Sequence, residues 1–391
     1  MQKPPPNSSV MIIAGESSAD LHGSELVAEL SLRSPNLQLF GVGGPKMRSG
    51  GFEALIDAES MSLAGLTEVF FALPRMFRYM RLLLRAAIRR RPAVVVLIDL
   101  PDFNLRLAKR LKKYNIPVIY YISPQLWAWR KGRVEQIKKY VDRMLVILPF
   151  EKEFYDQAGV PVEFVGHPLV EELPLKPDPE AARRKLGISP GSKPVIALLP
   201  GSRKKEVSRH LPIMLRSVQL LKKRYPSLIS VLPVANTIEP ALVQSLVHAA
   251  DVEVQIIQEQ STEVISAADA AIVCSGTTTL QTALLARPMV VVYRVSWLSY
   301  LVLKRLVKVA HIGLVNLIAQ RRLVPELIQN SFTPENVCDE ITFFLEHQSD
   351  TALLTRELEQ LRETLGQGGT AKRVTDTILG FIPSASTGKT K

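Results

Sequence analysis

The sequence predicts an α/β protein of two doubly wound, Rossmann-like domains that face each other across a cleft. Three observations carry that expectation. Short apolar runs of strand length alternate with helix-length segments, the pattern of a parallel sheet wrapped by crossover helices. The alternation occurs twice, on either side of a Pro- and Gly-rich interval near residues 168–193. The residues with chemistry to offer fall just after strands, where open α/β sheets bind their ligands.

In order, Val10–Ala14 reads as a strand that breaks at Gly15, with a helix near Leu21–Leu32 after it. Leu37–Val42 is a second strand and ends in a Gly-rich turn. Val94–Ile98 is apolar throughout, as expected of a central parallel strand buried on both faces. Val118–Tyr121 and Met144–Leu148 continue the series. Leu173-Pro174-Leu175-Lys176-Pro177-Asp178-Pro179 cannot be a regular element, and Ser189–Pro194 repeats the signal, with a short helix Glu180–Leu186 between. A second series follows at Val195–Leu199, Ile229–Val234, Val252–Ile257, Ala270–Cys274 and Met289–Tyr293. The chain after Thr333 is helical, Pro334 opening the first helix. The expected division is a mobile tail at 1–8, a first domain at 9–168, a linker at 169–193, a second domain with terminal helices at 194–383 and a mobile tail at 384–391.

Composition narrows the function. At 391 residues and 47% hydrophobic, the chain can bury large cores and is not disordered. A net charge of +12 favours an anionic partner: nucleic acid, a phosphorylated substrate or an acidic membrane surface. Cys274 and Cys338 are far apart in sequence and form no C-x-x-C, which fits a reducing compartment and no structural zinc. No export signal opens the chain, and no window reaches the roughly 20 apolar residues of a membrane span. The expectation is a cytosolic protein that can touch a membrane.

Two loops look made for phosphate. Ser275-Gly276-Thr277 joins the strand Ala270–Cys274 to a helix, so backbone N–H groups and hydroxyls meet the positive end of a helix dipole. Gln281 in that helix could reach a sugar hydroxyl. The loop Leu199-Pro200-Gly201-Ser202-Arg203-Lys204-Lys205-Glu206 also follows a strand and opens a helix; Gly201 permits close approach and Arg203 offers a forked cation to a diphosphate. Helix capping and a basic surface turn would explain the same residues more blandly. No D-x-D motif is present, so a metal-bridged diphosphate is not indicated. Among carboxylates after strands, Glu16, Asp99 and Asp102 could accept the proton of an attacking hydroxyl. Asp99 stands out because it directly ends the most apolar strand, whereas Asp102 reads better as a helix cap. His22 and His167 fall in candidate loops, where a lone His is more often structural.

Two stretches suggest a lipid surface. Between Pro74 and Arg89, Arg75, Arg78, Arg81, Arg85 and Arg89 recur every three or four residues, with Met76, Phe77, Met80, Leu83, Leu84, Ala87 and Ile88 expected on the opposite face. Between Trp297 and Ala310, Lys304, Arg305 and Lys308 interrupt an apolar run on one side. A core-packed helix with a solvated basic face would look the same. Two such stretches in one basic chain point to anionic lipid.

Eight motifs carry a resemblance to a known family: G-E-S-S-A-D (15–20), G-V-G-G-P-K-M (41–47), I-D-L-P-D-F-N (98–104), S-P-Q-L-W-A-W-R (123–130), V-G-H-P-L (165–169), L-P-G-S-R-K-K-E (199–206), S-G-T-T-T-L-Q (275–281), and N-L-I-A with V-P-E-L-I-Q (316–329). Collinear from about Val10 to Asn330, they resemble the lipid-A-disaccharide synthases. The resemblance implies an inverting glycosyltransferase of GT-B architecture, without cofactor or metal, cytoplasmic and peripheral at the inner membrane of a Gram-negative cell. It implies UDP-2,3-diacylglucosamine as donor, 2,3-diacylglucosamine 1-phosphate as acceptor, and a β-1,6-linked disaccharide phosphate plus UDP as products, with no nucleic acid involved. On this reading Asp99 is the base and Glu16 a second catalytic carboxylate. Gly201, Ser202, Arg203, Glu206, Ser275, Gly276, Thr277 and Gln281 bind the nucleotide diphosphate; Ser17, Asp102, Asn104, His167 and Asn316 position substrate. The sequence departs from the family at Ala19 (usually Gly), Val315 (usually Pro) and Gln281 (usually Glu). A UDP-N-acetylglucosamine 2-epimerase or a lipid-intermediate glucosaminyltransferase would share the second half, and a non-enzymatic binder of anionic surfaces would share the charge.

Overall fold

The structure, a computed structural model, describes residues 9–61, 68–124, 126, 131–189, 191, 194–297, 300 and 310–382. Both expected tails, most of the tryptophan motif, and Lys304, Arg305 and Lys308 lie outside these residues. The chain forms two compact units, one running to Pro168 and resuming at Gly368, the other Leu169–Gln367.

The first unit is built on a parallel sheet of β1 (Ser9–Ala14), β2 (Gln38–Gly43), β3 (Glu53–Asp57), β4 (Val94–Ile98), β5 (Val118–Tyr121), β6 (Arg143–Val146) and β7 (Val162–Phe164), in the order β3-β2-β1-β4-β5-β6-β7. Side chains of successive strand residues point to opposite faces, and the two cores follow that alternation. Met11, Ile13, Val95 and Leu97 join one core; Val10, Ile12, Val94, Val96 and Ile98 join the other. Every residue of β4 is fully buried. At about 1.5–3 kcal/mol per buried aliphatic side chain, this strand anchors the sheet. Strand order reverses between β1 and β4, so the loops after these two strands flank the switch point where such sheets hold ligands.

The second unit repeats the plan with β8 (Val195–Leu199), β9 (Ile229–Val234), β10 (Gln255–Gln258), β11 (Ala270–Cys274), β12 (Met289–Tyr293) and β13 (Glu326–Ile328), in the order β10-β9-β8-β11-β12-β13. Its switch point lies between β8 and β11. The loops at Gly201–Arg203 and Ser275–Thr277 leave those two strands.

Two expected boundaries need correction. The last helix, Thr370–Leu379, belongs to the first unit and not to the second. Val374 and Ile378 are fully buried in a first-unit core, Arg373 Nε donates to the Val165 carbonyl at 2.8 Å, and Arg33 pairs with Asp376 at 2.6 Å. The described residues of the expected linker belong to the second unit and are anchored there. In its helix Pro179–Lys185, Arg183 is 1% exposed and donates to the Ala267 carbonyl and to Asp269, both at 3.0 Å.

Candidate active site

In the first unit, β1 runs out at Gly15 and the helix Ser17–Arg33 begins, four residues before the expected Leu21. Glu16 occupies its N-cap position with an exposed side chain. Ser17 opens the helix; its side chain is outside the description. The structural weight of this motif falls on Asp20, which is 4% exposed. Its carboxylate accepts the backbone N–H groups of Gly44 (2.6 Å), Lys46 (3.1 Å) and Met47 (3.2 Å). That ties G-E-S-S-A-D to G-V-G-G-P-K-M. A side chain at Gly44 would put its Cβ 2.6 Å from that carboxylate, which explains the glycine.

Beside this loop, β4 ends in Asp99 and Leu100, both in left-handed backbone with φ 48°. Asp tolerates that region, Leu does not, and each such residue costs of order 1–3 kcal/mol. The bend turns the chain sharply into the helix Pro101–Leu111. Burial pushes the Asp99 carboxyl above its ordinary range, the Leu100 N–H and the charge of His22 drawing it partly back. A carboxylate so placed is a better proton acceptor than a solvated one.

Three more of the expected first-unit residues lie near this turn and strand end or in the loop after β7. Asn104 is fully buried and its amide donates to the carbonyls of Asp99 (2.7 Å) and Ile98 (3.3 Å). It therefore holds the main chain, which corrects its expected place against substrate. Asp102, exposed, pairs with Arg133 at 2.6 Å. His167 is 6% exposed, and burial, helped by the charge of His22, pushes its imidazole down to about 3. It is neutral at physiological pH and can offer a hydrogen bond but no charge.

In the second unit, Gly201 leaves β8 with φ 112°. A Cβ there would lie 2.5 Å from a Glu206 oxygen, so only glycine fits this turn. Arg203 begins the helix Lys204–Arg224, its side chain 82% exposed. Glu206 accepts from the Arg203 backbone N–H (3.3 Å) and guanidinium (3.0 Å). Glu206 thus orients the arginine, its own negative charge being unsuited to direct contact with a diphosphate. His210, absent from the sequence reading, fastens the loop from behind. The Pro200 carbonyl can only accept and the Arg294 N–H can only donate, so Nδ1–H bonds the former (3.1 Å) and Nε2 accepts from the latter (3.0 Å). Burial holds this imidazole below its usual range, in keeping with the neutral tautomer.

At the end of β11, Ser275 spends its N–H on Val292 (3.0 Å) and its hydroxyl on Ile312 (3.1 Å), so it shapes the turn and has no proton left for phosphate. Gly276 has open space where a Cβ would sit, Thr277 is exposed, and no side chain caps the helix Thr277–Leu284. These are the features of an anion site at a helix N-terminus. The Gln281 amide donates to the hydroxyls of Ser261 (3.1 Å) and Thr262 (3.0 Å). Asn316 is fully buried and fully used. Its amide donates to Val324 and Glu326, and its carbonyl oxygen accepts from Leu323 and Val324. With all four hydrogen-bonding positions taken, it locks a turn and is not available to substrate, contrary to expectation.

The helix Glu68–Arg90 also departs from its expected pattern. Met80, Leu83 and Ala87 enter the core, but Phe77 is 53% exposed and sits with the arginines. Phe77, Leu82, Arg78, Arg81, Arg85 and Arg89 line an open groove of about 1060 Å³. Among the described residues, Arg78, Arg81 and Arg85 form no ion pair, whereas Arg90 is bound to Glu53 at 2.6 Å.

Residues 10–374 match the family model described as lipid-A-disaccharide synthetase. The chain is 47% identical to the lipid-A-disaccharide synthase of Anaeromyxobacter sp. (strain K), over 95% of this chain and 97% of that one. It is 44% identical to that of Myxococcus xanthus, over 96% and 97%. The chain belongs to the lipid-A-disaccharide synthase family. It is accordingly a glycosyltransferase of lipid A synthesis, and the epimerase and non-enzymatic readings fall away. Solved structures agree on the GT-B-type fold of two α/β units. A kitacinnamycin glycotransferase superposes with a TM-score of 0.64 at 16% identity, over 97% of this chain and 100% of that one. The UDP-GlcNAc 2-epimerase of Neisseria meningitidis, solved with UDP-GlcNAc, gives 0.62 at 13%, over 95% and 100%. Identities so low speak for fold alone; the synthase family assignment rests on the sequence relatives.

Proposed function

We propose that this synthase transfers a 2,3-diacylglucosaminyl group from UDP-2,3-diacylglucosamine to the 6-hydroxyl of 2,3-diacylglucosamine 1-phosphate, by direct displacement with inversion. The acceptor oxygen bonds to the anomeric carbon as its proton passes to Asp99. The bond from that carbon to the β-phosphate oxygen breaks, and UDP leaves with the electron pair. Arg203 and the N–H groups at Gly276–Thr277 take up the charge on the diphosphate. Glu16, across the same switch point from Asp99, orients the acceptor. The observation that carries the assignment is the Asp99 carboxyl, fixed at the end of the most buried strand and raised in proton affinity by burial. Purified protein given both diacyl sugars should release UDP and form the disaccharide phosphate. Conversion of UDP-N-acetylglucosamine to its 2-epimer, with no disaccharide formed, would overturn the reading.

Acylated substrates reside in a bilayer, and the groove of Phe77, Leu82 and the arginines suits an anionic lipid surface at the cytoplasmic face of the inner membrane. No helix among the described residues is long and apolar enough to cross a membrane. Replacing Arg78, Arg81 and Arg85 by Glu should weaken sedimentation with anionic liposomes, roughly 1 kcal/mol being at stake per basic residue. Unchanged sedimentation of the folded variant would reduce the groove to a solvated face.

A further inference from the structure

Two consecutive left-handed residues, one a leucine, do not hold themselves in place. The Asp99 carbonyl accepts two hydrogen bonds at once, from the Tyr120 hydroxyl at 2.6 Å and from the Asn104 amide at 2.7 Å. Tyr120 lies on β5, in register with Leu97 of β4, and is fully buried. Burial, reinforced by the charges of Asp99 and Tyr155, keeps its phenol well above the ordinary range, so the hydroxyl is always a donor. The phenol touches the base's main chain rather than its carboxylate. It fixes the Asp99–Leu100 peptide, and through φ and ψ of Asp99 that peptide sets where the carboxylate points.

We infer that Tyr120 is a positioning residue for the catalytic base, its hydroxyl holding the left-handed turn that aims the Asp99 carboxylate. This rests on Asp99 being the base. No motif shared with the family includes Tyr120, which reads in the sequence only as part of a buried strand. A base left free to turn would spend much of its time away from the acceptor hydroxyl, and general-base catalysis depends on hydrogen-bond reach.

Tyr120→Phe removes one oxygen and leaves the ring to fill its site. In the full-length protein kcat should fall about tenfold to a hundredfold, with KM for both sugars and the affinity for UDP within twofold of wild type. The acid limb of the pH profile of kcat/KM should move to lower pH, because a released carboxyl turns toward water and loses the rise that burial imposes. Leu100→Gly in the Tyr120→Phe background should restore part of kcat, since glycine takes left-handed backbone without strain. Asn104→Ala removes the other donor to the same carbonyl and should give the same loss in kcat alone. It carries the test if Tyr120→Phe does not fold. Asp99→Asn with Tyr120→Phe should be no slower than Asp99→Asn. If Tyr120→Phe slows the Asp99→Asn enzyme by the factor it slows wild type, the phenol acts independently of Asp99 and the inference fails. Unchanged kcat in a folded Tyr120→Phe or Asn104→Ala protein overturns it equally. Asp99→Asn alone, if within threefold of wild type, reports instead that the base assignment is wrong.

Discussion

The ends of β4 and β8 start from the same material and are finished in opposite ways. Each is a five-residue parallel strand buried along its length, and each turns out through left-handed backbone beside its sheet's switch point. At β4 the turn is made by Asp99 and Leu100 and held by buried donors. At β8 it is made by Gly201, and Arg203 beyond it, the cation proposed for the diphosphate, is 82% exposed and held by Glu206. An exposed ion pair is worth about 0–1 kcal/mol. The difference follows from the chemistry assigned to each end. A base needs a set direction and a set proton affinity before substrate arrives, and both come from a rigid, dehydrated setting. A diphosphate can organise its own arginine, because it outbids a single carboxylate for a forked donor.

The sharpest way to break this comparison is at Asp99. Asp99→Asn should lower turnover by about two to four orders of magnitude, the span of a lost general base, and leave UDP affinity unchanged. It should also stabilise the fold at neutral pH. The native carboxyl holds its proton above the 3.8 of an unfolded aspartate, so stability falls as pH rises from 3.8 through the raised native value. The cost is fully present above that value, and the amide removes it. Thermal melts at pH 7 should therefore rise in the variant, with the gain vanishing toward pH 3.8. A variant that melts lower at pH 7 would mean that the carboxylate is held by contacts stabilising its charge, and the rigid, dehydrated picture of this end would be wrong.

At the other end, Arg203→Ala should weaken UDP binding by about 1.5–3 kcal/mol, the worth of a hydrogen bond to a charged group, with little change in melting temperature. Calorimetry and a melt on the same sample test both halves. A large fall in melting temperature would show Arg203 to be as built-in as Asp99, and the contrast would collapse.

The contrast also explains what was legible in the sequence. Val94–Ile98, Val118–Tyr121, Val195–Leu199, Ile229–Val234, Ala270–Cys274 and Met289–Tyr293 all lie inside their sheets, and their apolar runs match the observed strands residue for residue. The strands that were not anticipated, β3, β7 and β13, are sheet edges. Glu53-Ala54-Leu55-Ile56-Asp57, Val162-Glu163-Phe164 and Glu326-Leu327-Ile328 are short and carry charge, as exposed edges do. The candidate site divides in the same way. Asp99, Gly201 and Arg203 could be found because they directly follow buried strands. Tyr120, Asp20 and His210 could not, because each acts on main chain distant in sequence, and nothing in a residue's own neighbourhood announces such a partner. Asn104 and Asn316 bind groups only five to ten residues away, and their roles were hidden for another reason: a buried asparagine can serve backbone as readily as substrate.

A third pH effect tests the first unit at His167, which shares the neighbouring charge of His22 with Asp99. His167 binds its proton only near pH 3 in the folded state but near 6.5 when unfolded. Between those values the unfolded chain holds more protons, so stability should decline as pH falls from 6.5 toward 3. His167→Gln should flatten that part of the curve. An unchanged slope would assign the acid sensitivity to other groups.

The smallest effect is expected at Gln281, which tests whether the second unit's site is completed by its ligand throughout. Both amide hydrogens of Gln281 are engaged by Ser261 and Thr262. Only its carbonyl oxygen remains to accept from a ribose hydroxyl, a neutral hydrogen bond worth about 0.5–1.5 kcal/mol. Gln281→Ala should therefore raise the UDP dissociation constant by about twofold to about tenfold. Gln281→Glu restores the residue more usual in the family. The Ser261 and Thr262 hydroxyls can rotate to donate to a carboxylate, which leaves a charged acceptor for the ribose. The helix N-terminus and Arg203 offset the added charge, so affinity should hold or improve. Titration of UDP into the three proteins by calorimetry decides between the possibilities. Equal affinities for wild type and Gln281→Ala would show that position 281 braces the Ser261 turn and does not touch nucleotide. A sharp loss with glutamate would show that this turn, like the end of β4, is fixed in advance around the hydrogen bonds it already has.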